Sequence, residues 1–327
     1  MKKIIAMTLA LLLILGMTAC GSAPAADEPA DAPADGTYVI GISQLVQHVA
    51  LDAATQGFKD AVVEDLGDAV TFDEQNASND TNVCSTIATS FVSKGVDLIL
   101  ANATPALQAA ANATLDIPIL GTSVTEYGVA MGIEDFDGTV GGNISGTSDL
   151  APLDEQAAML VELFPDAQNV ALIYCSAEAN SQYQVDVVKA ELEKAGLTAE
   201  LYPFSDSNDL AQVTTAACQF ADVIYVPTDN TVASATGTID GIARPAGVPI
   251  IAGEEGICSG CGVATLSISY YDLGYATGKM AVKILTGEAD ISTMPIEYAP
   301  QFTKKYNAEI AAELGIEIPA DYTAIEG

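Results

Sequence analysis

Short apolar runs rich in Val and Ile alternate with longer amphipathic segments along the chain from Thr37 onward. The short runs predict strands, since β-branched side chains favour extended backbone, and the longer segments predict helices. Asp80 and Gly95 stand where the N-cap and C-cap of one helix are expected. The first half therefore has predicted strands at 38–42, 70–72, 96–100 and 117–120, with helices at 51–64, 81–94 and from 105.

The same alternation restarts after Gly146. Helices are predicted at 153–164, at 181–195, around Asn208 and before 249, with strands at 170–174, 199–202, 223–226 and 249–251. The segment 262–269 and a helix at 271–285 are expected to return to the first half. Strands that are apolar on both faces and separated by helices form parallel sheets covered on both sides. The predicted fold is therefore α/β, with two doubly wound, Rossmann-like lobes.

The first 36 residues carry a pattern of export rather than of folding. Residues 1–19 have a Lys pair followed by a short apolar stretch, which is typical of a signal peptide. The following Cys20 stands in a sequence that resembles a bacterial lipobox, with Met17 where Leu is usual, so lipidation (palmitate) is expected, and plain secretion is the alternative. Residues 20–36 hold Ala, Pro, Asp and Glu but no large apolar side chain, which predicts an extended tether. We expect an extracytoplasmic body anchored to the bacterial cell membrane.

Composition narrows the classes of function. The 327 residues include 44 acidic and 11 basic side chains and one His, for a formal net charge of −33. That charge disfavours binding to nucleic acid or to anionic lipid. A single His leaves few ways to build a catalytic triad or a multi-histidine metal centre, so no cofactor and no metal are predicted. Weak adsorption of Ca²⁺ to the surface carboxylates stays open.

The loops that follow the predicted strands are rich in Thr, Ser, Asn and carboxylates and contain no Lys or Arg. In doubly wound sheets, ligands bind beyond the carboxyl ends of the strands. Backbone N–H groups and hydroxyls at helix N-termini can hold a small anion, and a carboxylate such as Asp229 can pair with an ammonium group. Together the loops fit a small zwitterion, although each of them by itself is also explained by helix capping.

Several of these motifs stand in the order and spacing of one family. They include Val39-Ile40-Gly41-Ile42-Ser43-Gln44, Ala103-Thr104-Pro105-Ala106, Gly146-Thr147-Ser148-Asp149, Glu178-Ala179-Asn180-Ser181, Pro227-Thr228-Asp229-Asn230 and Tyr270-Tyr271-Asp272-Leu273-Gly274. Over essentially the whole chain after the tether, the sequence resembles the substrate-binding lipoproteins of ABC importers of the tryptophan/tyrosine type. The resemblance implies a type I periplasmic-binding-protein fold with a three-segment hinge. It also implies a monomer that captures an aromatic amino acid by hinge closure and delivers it to a membrane permease driven by a separate ATPase.

The resemblance also implies a set of ligand-binding residues. Thr104, Thr122 and Ser123 would hold the carboxylate of the ligand, and Asp229 its ammonium group. The remainder of the site would be lined by Gln44, His48, Thr125, Ser148, Glu178, Asn180, Ser181, Thr228, Asn230 and Glu254. Two departures, Glu126-Tyr127 for the family's Asp-Pro and His48-Val49 for its His-Pro, lie where the side-chain pocket is expected.

Other interpretations stay open at this point. The lobes are predicted at 37–147 plus 257–287 and at 148–256 plus 288–327. The ligand could instead be a branched-chain amino acid, a nucleoside or a sugar, and the rival class is a secreted α/β hydrolase that uses His48. The Cys258-Ser259-Gly260-Cys261 motif has no second matching pair, so these thiols, like Cys84, Cys175 and Cys218, are either free or paired in a disulfide.

Overall fold

The computed structural model describes residues 37–299 and 301–325, which form two α/β lobes, each built on its own sheet. In the first lobe the strand order is β11-β5-β4-β3-β1-β2, and all neighbouring pairs run parallel. These strands are β1 (Tyr38–Gln44), β2 (Val70–Asn76), β3 (Leu98–Asn102), β4 (Ile119–Val124), β5 (Ile144–Ser148) and β11 (Glu297–Tyr298).

The second sheet has the order β13-β12-β10-β9-β8-β6-β7. Its strands run parallel except for the antiparallel pair β10 and β12. They are β6 (Asn169–Cys175), β7 (Thr198–Phe204), β8 (Val223–Val226), β9 (Ile250–Ala252), β10 (Ala264–Ser267), β12 (Thr303–Tyr306) and β13 (Thr323–Ala324). Two doubly wound, mainly parallel sheets confirm the predicted fold class.

Helices cover both faces of the two sheets, as the apolar strands require. In chain order they are α1 (Val49–Leu66), α2 (Thr81–Lys94), α3 (Thr104–Ala113), α4 (Tyr127–Met131), α5 (Leu153–Leu163), α6 (Ala179–Lys194), α7 (Leu210–Phe220), α8 (Asn230–Ala233), α9 (Thr236–Ala246), α10 (Glu255–Cys261), α11 (Tyr270–Leu285) and α12 (Ala308–Glu313), with 3-10 turns at Gly67–Ala69 and Ile291–Thr293. The predicted caps of α2 are confirmed: the Asp80 carboxylate accepts from the N–H of Asn82, and Gly95 has φ +65°.

The described residues place three crossings between the lobes, at 149–152, at 268–269 and between strands β11 and β12. The first crossing begins just after the predicted boundary at 147/148, since Ser148, assigned to the second lobe, is the last residue of β5 in the first. The other two boundaries are wrong. Helix α10 and strand β10, assigned to the first lobe from the sequence, belong to the second, because β10 pairs with β9 and β12. Strand β11, assigned to the second lobe, pairs with β5 of the first. Helix α11 does return to the first lobe.

Helix α11 packs against α1 at very short distance, because both helices carry glycine at the contact. A Cβ atom on Gly57 would lie 2.1 Å from the carbonyl oxygen of Tyr271, and one on Gly274 would lie 1.9 Å from that of Ala54. Both helices begin at the edge of the sheet that faces the second lobe. The close contact therefore sets the positions of His48, the N-cap of α1, and Tyr270, the first residue of α11.

The described residues bear on membrane spans and disulfides through their helices and their cysteines. None of their helices has an apolar stretch long enough to cross a lipid bilayer. Their five cysteines, Cys84, Cys175, Cys218, Cys258 and Cys261, are free thiols. The predicted signal peptide, Cys20 and tether lie outside the described residues.

Candidate functional site

A narrow cavity lies between the lobes at the carboxyl ends of the strands, with an empty volume of about 270 Å³. The first lobe and the second both contribute to its wall, and so do the first crossing and the start of α11. Its lining residues are His48, Leu51, Ser123, Thr125, Asp149, Asn180, Thr228, Asp229, Asn230, Ala233, Glu254 and Tyr270. We call it the cleft cavity. A larger groove adjoins it and shares four of these residues, His48, Ala233, Glu254 and Tyr270.

Two hydrogen bonds join the lobes across the cleft, and both end on α8. His48 Nε2 lies 3.3 Å from Asn230 Oδ1, and Asn79 Nδ2 donates to Thr231 Oγ1 at 3.0 Å. Burial lowers the pKa of His48, while the contact with Asn230 and the nearby carboxylates of Glu178 and Asp52 oppose that shift. The His48 ring is therefore suited to a hydrogen-bonding role as a neutral imidazole near neutral pH.

Glu178 holds Asn230 and Thr231, the two residues of α8 that make these contacts between the lobes. Its carboxylate accepts from the backbone N–H and the side-chain amide of Asn230 at 3.1 and 2.6 Å. It also accepts from the backbone N–H and the hydroxyl of Thr231 at 2.9 and 2.8 Å. A carboxylate with this many donors is stable when buried, because the hydrogen bonds replace those of water. Glu178 does not line the cleft cavity, so its hydrogen bonds are all within the protein.

Asp229 lines the cavity and is the N-cap of α8. One carboxylate oxygen accepts from the N–H of Cys175 at 2.7 Å and the other from the N–H of Val232 at 2.9 Å. Burial and the neighbouring carboxylate of Glu178 raise the pKa of Asp229 to about 8. Both oxygens are thus engaged with the backbone in this structure, and the bond to Val232 is the helix-capping function that sequence reasoning held as the alternative.

Glu254 has the same arrangement at the start of α10. Its oxygens accept from the N–H groups of Gly256 and Ile257. Burial raises its pKa to about 7, and the nearby carboxylates of Asp149 and Glu255 add to the rise, while the two backbone donors oppose it. Glu254 stands at the boundary between the cleft cavity and the adjoining groove.

Asp149 differs from these acids. It lies in the first crossing and is 4 % exposed, and its Oδ2 atom accepts from the hydroxyl of Tyr270 at 2.8 Å. Its Oδ1 atom is buried and has no hydrogen-bond partner among the described residues. Burial raises the pKa of Asp149, and the nearby hydroxyls of Tyr270 and Thr125 oppose the rise. One carboxylate oxygen of a residue that lines the cavity is therefore left without a donor among the described residues.

Further buried polar atoms of the cavity wall also have no partner among the described residues: Ser123 Oγ, Asn180 Oδ1 and His48 Nδ1. Ser123 has φ +54°, in the left-handed region that a non-glycine residue seldom adopts. Strained backbone of this kind is concentrated at binding sites, where it fixes the direction of a side chain. The Ser123 hydroxyl can donate to an anion, whereas the Asn180 carbonyl oxygen can only accept.

Eight of the fourteen residues predicted for the site line the cleft cavity, namely His48, Ser123, Thr125, Asn180, Thr228, Asp229, Asn230 and Glu254. The other six are buried nearby but do not line it: Gln44, Thr104, Thr122, Ser148, Glu178 and Ser181. Gln44, for example, bonds Asp52 and Thr55 within the first lobe. Sequence reasoning missed Leu51, Asp149, Ala233 and Tyr270, although Asp149 and Tyr270 stand in motifs that carry the resemblance.

The chemistry of the cavity is acidic and rich in acceptors. Asp149, Asp229 and Glu254 line it, and none of the described Lys and Arg residues does so. Among the residues that the structure describes, no group of three or more His, Cys, Asp or Glu side chains is placed to hold a metal ion. An organic cation that also bears hydrogen-bonding groups is the ligand chemistry that such a wall fits best.

Two lobes that enclose a polar cavity and are joined by three crossings define a binding protein of the type I periplasmic class. Residues 39–324 match the family of ABC transporter substrate binding proteins, and the chain belongs to that family. Such proteins are extracytoplasmic components of transporters. The chain is 39 % identical over 264 residues to a tyrosine-binding protein of Clostridioides difficile, covering 79 % of this chain and 75 % of that one.

Solved structures show the same relationship. A Streptococcus pneumoniae ABC domain in complex with L-Trp is 34 % identical and superposes with a TM-score of 0.84, over 89 % of this chain and 100 % of that one. The ligand-free, open structure of a C. difficile substrate-binding protein with adhesive properties is 38 % identical, but its TM-score is only 0.67, over 88 % and 99 % of the two chains. The open structure is thus more similar to this chain in sequence but superposes less well, because the lobes of this chain are in a closed arrangement. The hydrogen bonds across the cleft agree with that closed arrangement.

Proposed function

We propose that this protein captures an aromatic L-amino acid, tyrosine or tryptophan, in the cleft cavity for an ABC importer. The observation that carries the proposal is the cavity wall, which offers buried carboxylates and unpartnered acceptors but, among the described residues, no Lys or Arg. An α-ammonium group matches that wall. The tyrosine-binding and L-Trp-bound relatives support the choice of an aromatic side chain.

Binding would proceed by hinge closure. In an open form the amino acid reaches the first lobe, where the Ser123 hydroxyl donates to its carboxylate. Rotation about the three crossings then brings α8 over the ligand, and the His48–Asn230 and Asn79–Thr231 contacts hold the lobes together. A ligand stabilises this form only by the difference in its affinity for the closed and open states. The closed form would then dock on a membrane permease that is driven by a separate ATPase.

The side chain of the ligand needs more room than the cleft cavity has as it stands. The adjoining groove, reached past Tyr270 and Ala233, is lined by apolar atoms of Val49, Ala53 and Ile268. We expect the aromatic ring to lie toward this groove, with Leu51 and Tyr270 against it, since aromatic rings gain most from apolar and edge-to-face contacts.

Isothermal titration calorimetry of the purified protein tests this proposal. L-Tyr, L-Trp and L-Phe are compared with L-Leu, glucose and adenosine, which represent the alternative ligand classes. Saturable one-to-one binding confined to aromatic amino acids is expected. Thermal denaturation provides a second readout. At a ligand concentration of about 100 times Kd, binding stabilises the folded state by ~2.7 kcal/mol, which raises Tm by several degrees. Binding of L-Leu or of a sugar with no response to aromatic amino acids would overturn the proposal.

We also propose that Cys20 carries a lipid that holds the protein at the cell membrane. The support is the lipobox-like sequence at 17–21 and the acidic, Pro-rich segment that follows it. Labelling of the full chain with radioactive palmitate in a bacterial host should mark the wild type and leave Cys20→Ala unmarked and released from the membrane fraction. Equal labelling of both proteins would contradict this assignment.

A further inference from the structure

The acids that surround the cleft cavity are unequal in their hydrogen bonding. Glu178 accepts from both donors of Asn230 and both of Thr231, and it lies behind the wall. Both carboxylate oxygens of Asp229 and of Glu254 accept from backbone N–H groups: Glu254 caps α10 with both, and Asp229 caps α8 with one and accepts from Cys175 at the end of β6 with the other. Asp149 alone among these four has an oxygen without a partner among the described residues. That oxygen belongs to a residue of the cavity wall.

We infer that Asp149, and not Asp229, is the residue that binds the α-ammonium group of the ligand, an inference that rests on the proposed function. A buried carboxylate oxygen without a donor is unfavourable, since it has lost water and gained nothing in return. An ammonium group supplies a donor and a positive charge at once. Among the described residues, no Lys or Arg lines the cavity to compete for this position.

The place of Asp149 in the chain adds a mechanical consequence. It lies in the first crossing, and its other oxygen is bonded to Tyr270, which follows the second crossing directly. Tyr270 is the first residue of α11, whose Gly274 is held against α1. An ammonium group on Asp149 therefore binds at the junction of two hinge segments. In this way occupancy of the cavity stabilises the relative position of the segments about which the lobes rotate.

The test crosses two carboxylate variants with three ligands. Asp149→Asn and Asp229→Asn are each titrated with L-tyrosine, with tyramine, which lacks the carboxylate, and with 3-(4-hydroxyphenyl)propanoate, which lacks the ammonium group. Asp68→Asn, an exposed acid of the first lobe, is the charge-matched control. Asp149→Asn is expected to weaken tyrosine and tyramine at least tenfold and to leave the propanoate unchanged or improved, because only the first two carry the cation.

Each outcome decides between the assignments. A tenfold loss for Asp149→Asn that is equal for all three ligands would overturn the inference, because it would mark Asp149 as a structural residue. Loss specific to the ammonium ligands in Asp229→Asn, with Asp149→Asn unaffected, would also overturn it in favour of Asp229. If Asp149→Asn unfolds, Asp149→Ser takes its place. Failure of the wild type to bind any of the amines would sink the proposed function itself, which separates that failure from the failure of the assignment to Asp149.

Discussion

At the scale of single residues, the backbone is strained where the first lobe meets the cleft. Ala103, the N-cap of α3, has φ +93° and ψ +155°, a conformation that is almost confined to glycine. Ala103 directly follows β3, and Ser123 lies at the carboxyl end of the neighbouring strand β4, at the edge that carries the cavity. Strain at both positions is the expected result when the direction of a loop matters more than its local stability.

Ala103→Gly should therefore raise the free energy of unfolding, by about 1 kcal/mol, because glycine adopts this backbone without a Cβ clash. Urea denaturation followed by circular dichroism measures the change. Ala101→Gly, in the buried strand β3 with ordinary backbone, is the matched control and should lose stability by a similar amount. If the two substitutions destabilise equally, Ala103 is not strained.

At the scale of elements, the short helix α8 forms the second-lobe side of the closure. Glu178 and Asp229 hold its N-terminus, and its side chains Asn230 and Thr231 reach His48 and Asn79 of the first lobe. These inter-lobe contacts exist only when the lobes are closed. They are expected to slow ligand release without speeding ligand capture.

Asn79→Gly should raise the dissociation rate of the aromatic ligand by about two- to tenfold, the effect of one hydrogen bond, and leave the association rate nearly constant. Glycine is chosen because Asn79 has φ +64°, so the substitution removes the side chain without straining the backbone. Stopped-flow fluorescence separates the two rates. Asn82→Ala, exposed at the start of α2, is the control. A slower association with unchanged dissociation would show that the contact forms before the ligand is enclosed.

The packing of α1 on α11 makes a second prediction at this scale. Gly274→Ala should lower the free energy of unfolding by at least ~2 kcal/mol, because its Cβ would meet the carbonyl oxygen of Ala54. Gly241→Ala in α9, where a Cβ meets no atom within 4 Å, should instead raise it by up to about 1 kcal/mol through helix propensity. Thermal and urea denaturation of the two variants compare them directly. Equal effects would mean that the helices can separate at no cost.

At the scale of the whole molecule, the net charge and the buried acids both lower the stability of the fold as pH rises. The chain has a formal net charge of −33, and several of its acids are buried around the cleft cavity with raised pKa values. Self-repulsion of the surface grows as pH rises. Buried acids with raised pKa values also lose stability as pH rises, because the unfolded chain releases their protons first.

A variant of Asp149 tests the contribution of a buried acid separately from that of the surface charge. Its pKa in the folded protein lies above its ordinary value of about 3.9, so between these two pH values the folded state holds a proton that the unfolded state has released. The free energy of unfolding of the ligand-free protein should therefore fall as pH rises from about 4 through that window. Urea denaturation of Asp149→Asn at a series of pH values should show a shallower decline of stability as pH rises from about 4. Parallel declines would mean that Asp149 is ionised throughout.

The sequence predicted most of the elements because their signals are local. Strands such as β1 and β3 are apolar on both faces, and caps such as Asp80 and Gly95 act on adjacent backbone. Membership of the lobes was predicted less well. The apolar strand β10 carries no local mark of the sheet it joins, and β11 has only two residues, so both were assigned to the wrong lobe.

By itself, the sequence determined the fold class, the parallel sheets, the strand-end loops that form the cleft and the absence of Lys and Arg from those loops. These features can be read from the sequence because composition and periodicity are properties of short segments. The sequence also showed that Asp149 and Tyr270 stand in motifs of the family, but not that they line the cavity. Only the tertiary structure decided which carboxylates are already satisfied. Glu178, Asp229 and Asp149 are the same kind of residue in the sequence, and they differ only in the donors that distant segments bring to them. Hydrogen bonding depends on atoms within about 3 Å, and such distances between segments far apart in the chain are set by packing.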